Sequence, residues 1–181
     1  MSNAKANMIA GLSVVLFMAI VAPRRAQALP EPEIKAAFIY RFTQFVTWPD
    51  DAFDGKDAPF IIATIGDDSL STALQHAMAG RVVNGRPIVV THFASVDRIE
   101  HCHLLFVPAS QQGTAPAILA KVGNAPVLTV GDGDAFMTQG GAFRLFVEDG
   151  RMKFELDPDV ITAARLKAGA QLMKVGRIHQ K

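Results

Sequence analysis

The sequence predicts an α/β domain: a mostly parallel, Rossmann-like or flavodoxin-like sheet flanked by helices, finished by an antiparallel hairpin and a terminal helix. Three observations carry this. Short apolar runs at Phe60–Ile65, Leu104–Val107 and Pro126–Val130 read as strands buried on both faces. Helical segments separate strands at intervals of about 25 residues, the rhythm of βαβ units in a parallel sheet. Ala142–Val147 and Arg151–Leu156 then face each other across Glu148-Asp149-Gly150, which reads as a hairpin at a sheet edge.

Each element follows from its residues. Pro30-Glu31-Pro32-Glu33 puts proline and acids where a helix N-terminus accepts them. Ile34, Ala37, Phe38, Phe42, Phe45 and Val46 recur at three- and four-residue steps, one apolar stripe of an amphipathic helix that ends at Trp48-Pro49-Asp50-Asp51. After the first buried strand, Ser69–Met78 carries Leu70, Ala73, Leu74 and Ala77 on one side and stops at Gly80. Asn84-Gly85 signals a tight turn between Arg81-Val82-Val83 and Pro87–Thr91, with Arg86-Pro87 lengthening the connection. A helix is expected from Ala115 to Val122. Asp157-Pro158 opens a terminal helical region with Ile161, Ala164, Ala168, Leu172 and Val175 on one face, divided at Gly169. Strand order does not follow from these patterns.

Composition narrows the class. Half of the 181 residues are hydrophobic and 19% are charged, which excludes wholesale disorder and a coiled coil. Eighteen basic against 17 acidic residues leave no field that would recruit nucleic acid. One cysteine, Cys102, excludes an internal disulfide and a cysteine-based zinc site. Met8–Ala22 is 15 residues without a charge, preceded by Lys5 and followed by Arg24, Arg25 and Ala26-Gln27-Ala28. A basic start, a short apolar stretch and an A-x-A site form a secretory signal cleaved after Ala28, and no lipobox cysteine is present. The alternative, a retained anchor, asks for about 20 apolar residues. Residues 29–181 are then one soluble, exported domain.

In an open α/β sheet, ligands sit beyond the carboxyl ends of the parallel strands. Three small polar loops fall there: Gly66-Asp67-Asp68-Ser69, Pro108-Ala109-Ser110 and Gly131-Asp132-Gly133-Asp134. Asp67, Ser110 and Asp132 are the ligand-binding candidates, and the competing role for such loops is to start helices. Gly131-Asp132-Gly133 is not a dinucleotide fingerprint, because Phe136 stands where the third glycine belongs. No Walker loop and no G-x-S-x-G is present. His101-Cys102-His103 is the most metal-like cluster, but on an extended chain the two histidines share one face and Cys102 takes the other. Cys102 reads as a buried small hydrophobe; as an odd exported cysteine it is also the one redox candidate, open to an intermolecular bond and a homodimer. No catalysis, cofactor or metal is expected. Tyr40, off the main stripe, and Trp48, at the helix end, are candidate partner-binding aromatics, with core packing as the alternative.

Ala36-Ala37-Phe38-Ile39-Tyr40-Arg41-Phe42 through Phe45-Val46-Thr47-Trp48-Pro49 form the first of a series of motifs. Gly66-Asp67-Asp68, Cys102-His103-Leu104-Leu105-Phe106, Pro126–Asp132, Gly140-Gly141 and Phe154-Glu155-Leu156 follow in order. Together they resemble the YfiR-like family of exported bacterial proteins, from about Glu31 to Arg177. The resemblance implies a periplasmic α/β domain without known catalysis. It also implies a partner: the best-understood member binds the periplasmic part of an inner-membrane diguanylate cyclase and holds it inactive, lowering cyclic di-GMP and biofilm formation. Other members sit with sensor kinases or outer-membrane receptors. In members under redox control a cysteine of the first buried strand pairs with the one matching Cys102; here that position is Ala63, so this bond cannot form.

Overall fold

The computed structural model describes residues 29–66 and 68–180; the leader expected over residues 1–28, and Asp67, lie outside them. Helix α1 (Glu31–Phe45) leads into a two-residue strand β1 (Val46–Thr47), then β2 (Phe60–Ile65), α2 (Asp68–Met78), β3 (Val82–Val83) and β4 (Arg86–Phe93). Next come β5 (Leu104–Val107), α3 (Ala115–Val122), β6 (Leu128–Gly131), β7 (Phe143–Glu148) and β8 (Arg151–Leu156). The chain closes with α4 (Pro158–Ala163), β9 (Lys167–Ala168), α5 (Ala170–Val175) and β10 (Arg177–Ile178). The main sheet runs β10-β8-β7-β6-β5-β2-β4-β3, and β1 pairs with β9 apart from it. Strands β4, β2, β5, β6 and β7 are mutually parallel; β8 turns back antiparallel on β7.

Because the central strands are covered on both faces, their side chains divide between two cores. Ile62, Leu104, Phe106, Leu128 and Val130 face one side, where α1, α2, α4 and α5 contribute Ile39, Phe42, Leu70, Leu74, Ile161 and Leu172. Ala63, Ile65, Leu105 and Val107 face the other, against Ala115 and Ile118 of α3 and against Phe136. Phe42 sits at the centre of an aromatic group, its ring centroid 4.7 Å from Phe143 and 5.1 Å from Phe154. Such pairs add about 0.5–1.5 kcal/mol each beyond area burial.

Two turns match their residues closely. Asp149 and Gly150 both take positive φ, 52° and 69°, the mirror-image geometry that a two-residue hairpin needs. Asn84 and Gly85, at 49° and 81°, do the same between β3 and β4. Here the expectation of a longer connection is corrected: Arg86 and Pro87 already belong to β4, paired with Val83 and Val82. Pro87 costs no ladder bond to β2, whose pairing with β4 begins one residue later, at Phe60 with Ile88.

The terminal helix is also corrected. Asp157 caps α4 by accepting from the N–H groups of Asp159 and Val160 at 2.9 and 3.2 Å, but α4 ends after six residues. Arg165 turns at φ 58°, and Lys167 and Ala168 cross to pair with Thr47 and Val46. Gly169 donates to the Phe45 carbonyl at 2.8 Å; a Cβ there would meet that same oxygen at 3.0 Å, so glycine lets the chain lie against the end of α1 and start α5. Among the described residues no helix is long and apolar enough to cross a membrane.

Candidate functional site

Helix α1 is apolar around more of its girth than one stripe. Ala36, Ile39, Phe42 and Thr43 are the buried positions, so the helix is rotated from the face the three- and four-residue spacing suggests. Ala37, Arg41 and Gln44 are exposed, while Phe38, Tyr40 and Phe45 are half-buried on its two flanks. A groove of about 630 Å³ lies on one flank, between α1 and α5, walled by Phe38, Phe42, Phe45, Phe154, Leu172 and Val175 with Arg41 and Lys174 beside them. A second, of about 470 Å³, lies toward α2 and includes Tyr40, Gln44, Ala77 and Arg81. Ala37, Arg41 and Phe45 line both.

Tyr40 is half-buried on that second flank, with the Arg81 guanidinium 4.3 Å from its ring centre. Trp48 is 6% exposed, packed edge-on against Phe60 at 4.7 Å, with its indole N–H donating to the His103 carbonyl at 3.0 Å. The expectation of Trp48 as a surface anchor is corrected: β1 folds it inward, and its polar edge is satisfied inside the protein.

The strand-end crevice is arranged differently. The order of the parallel strands reverses at β2, with β4 to one side and β5 to the other, so Gly66 and the Pro108–Ser110 loop lie at the switch point. The Gln111 side chain covers Gly66 so closely that a Cβ there would be 2.4 Å from its amide nitrogen. Ser110 is exposed. Asp132 accepts from the Ala109 N–H and from Lys35 Nζ, each at 2.5 Å, and Lys35 also meets Glu31 at 2.6 Å. Burial alone would lower the Lys35 pKa, but the two carboxylates outweigh it and hold the ammonium above its usual value. Asp134 binds Arg144 at 2.9 Å, and that arginine also meets Glu155 at 2.6 Å. The carboxylates described here thus bind the protein's own cations. The glycines Gly131 and Gly141 are explained by Phe136: a Cβ at either would strike its ring, at 2.6 and 2.2 Å.

In the His101-Cys102-His103 segment, His103 Nδ1 accepts from the Ile61 N–H at 2.9 Å and Nε2 donates to the Ala52 carbonyl at 3.0 Å, so both ring nitrogens are engaged. Phe53 and Phe60 stack on the ring. Burial first, then His101 and Arg86, hold its pKa down at about 4. Cys102 points into the opposite core, where burial pushes its thiol up to about 12 and keeps it protonated. A buried, protonated thiol is a poor nucleophile and a poor ligand.

A family profile described as YfiR/HmsC-like matches residues 32–177. The chain belongs to the YfiR/HmsC-like family. Comparison with curated proteins gives no match. The YfiR/HmsC-like match runs from the first turn of α1 to the start of β10, so both walls of the α1–α5 groove fall within it. Membership suggests a periplasmic regulatory role connected with diguanylate cyclase control.

Sequence reasoning missed the α1–α5 groove because Phe38, Phe45, Leu172 and Val175 look like ordinary core positions. The available signal was an excess: α1 carries more large apolar side chains than one buried face can take.

Proposed function

We propose that this protein is a periplasmic regulatory binding protein that represses an inner-membrane diguanylate cyclase by holding its periplasmic domain. The reading rests on membership of the YfiR/HmsC-like family over residues 32–177. Export follows from the leader at residues 1–28, removed after Ala28. The surface offered to the partner is the exposed face of α1 with the flank toward α2, where Tyr40 and Arg81 stack beside Arg41. An amphipathic aromatic next to cations suits a partner segment that mixes apolar and acidic side chains. Catalysis forms no part of the reading: repression is a population shift, and binding the inactive cyclase conformer better by about 1.4 kcal/mol moves its equilibrium tenfold.

The test is crosslinking of the tagged protein in the periplasm of its own host, with mass spectrometry of what co-purifies. Recovery of an inner-membrane protein bearing a cytoplasmic cyclase domain is expected, together with a rise of cyclic di-GMP in a deletion strain. A sensor kinase or an outer-membrane receptor in its place would keep an adaptor role and overturn the cyclase. Absence of any specific partner would overturn both and leave a small-ligand module built on Asp67, Ser110 and Asp132.

A further inference from the structure

The α1–α5 groove combines features that the partner surface does not need. Along α1 it is lined by Phe38, Phe42 and Phe45, a span of about 10 Å of helix. Phe42 and Leu172 are buried in its floor, and Val175 leaves 75% of its surface in water at the edge. About 630 Å³ lies within the range of small-molecule sites. Two cations, Arg41 and Lys174, line the groove, and neither has an acidic partner among the described residues. Other described cations, Lys56, Arg98 and Lys121 among them, also carry no ion pair; what marks Arg41 and Lys174 is their place beside the apolar walls of the groove.

We infer that this groove binds a free single-chain amphiphile with an anionic head, a long-chain alkyl carboxylate. The chain lies along the Phe38–Phe45 side of α1, removing the apolar wall from water, and the carboxylate pairs with Arg41 and Lys174. Because Ala37, Arg41 and Phe45 also line the groove beside Tyr40, an occupied site alters the face offered to a protein partner. The inference does not depend on what that partner is.

The experiment is titration of the purified protein with dodecanoate below its micelle-forming concentration, read by displacement of a fluorescent apolar probe and by thermal shift. Dodecyltrimethylammonium and dodecanol serve as head-group comparisons. Dodecanoate should bind at least tenfold more tightly than the cationic analogue. Lys174→Glu and Arg41→Glu should each weaken it severalfold, and Val175→Glu should do so at least tenfold. Val147→Glu, which changes another exposed valine, on β7, should leave it unaltered. Circular dichroism melts confirm that each variant is folded, and two independent charge reversals protect the test if one is not. Three results would overturn the inference: no binding of dodecanoate, equal affinity for the cationic amphiphile, or undiminished binding in Val175→Glu. Adsorption to phosphatidylglycerol vesicles without binding of the free carboxylate would also overturn it, replacing the ligand by a membrane surface.

Discussion

The strand-end crevice and the outer face of α1 make opposite use of their side chains. At the crevice two carboxylates that suggest a ligand site are ion-paired within the protein, Asp132 with Lys35 and the exposed Asp134 with Arg144, and Gln111 overlies Gly66, while Ser110 stays exposed. On α1 the apolar groups that suggest a core are left at the surface beside Arg41 and Lys174. A carboxylate advertises function only when nothing in its own chain neutralises it. An aromatic advertises burial only when the fold supplies a second layer to cover it.

The contrast can be broken first where the two uses of α1 meet. Phe42→Ala removes the ring that contacts Phe38, Phe143 and Phe154 and should cost about 3–5 kcal/mol in urea denaturation. A loss below about 1 kcal/mol would mean that α1 is not the keystone of the first core. Next in size, Asp132→Ala leaves the Ala109 N–H without its acceptor and the half-buried Lys35 with Glu31 alone. The expected loss is about 1–3 kcal/mol, with partner capture unchanged, and Asp132→Asn should recover part of it by restoring an acceptor. An Asp132→Ala protein of unaltered stability that had lost its ligand response would make the crevice the site instead.

A comparable effect comes from pH. His103 is held at about 4 in the folded protein against an ordinary 6.5, so the unfolded chain binds the proton more readily. The stability this histidine contributes is complete above about pH 6.5, declines as the pH falls toward 4 and levels off below it. Melting curves between pH 7 and 4 should show the decline, and His103→Gln should flatten it, since glutamine does not titrate. An identical slope in the variant would remove His103 from the account.

Much of the fold is legible because local pattern and burial agree. Phe60–Ile65 and Leu104–Val107 are strands with the expected bounds, and α3 begins and ends where its proline and Gly123 place it. The mistakes share one cause, contacts between residues distant in sequence. Nothing local to Trp48 announces a hydrogen bond to His103, and nothing local to Asp132 announces Lys35, 97 residues earlier. The break between α4 and α5 is likewise imposed by β1, which draws Lys167 and Ala168 into a bridge that helical periodicity cannot reveal. Of the two aromatic candidates, Trp48 is buried and Tyr40 is half-buried on the flank of α1 toward α2, packed partly against the core.

The most direct test compares the two regions within the living cell. A photo-crosslinking amino acid is placed at the half-buried Tyr40 on α1 or at the exposed Ser110 in the crevice, and the adducts are identified after illumination. Position 40 should capture an inner-membrane cyclase and position 110 should not; capture from 110 with none from 40 would contradict a partner surface on α1.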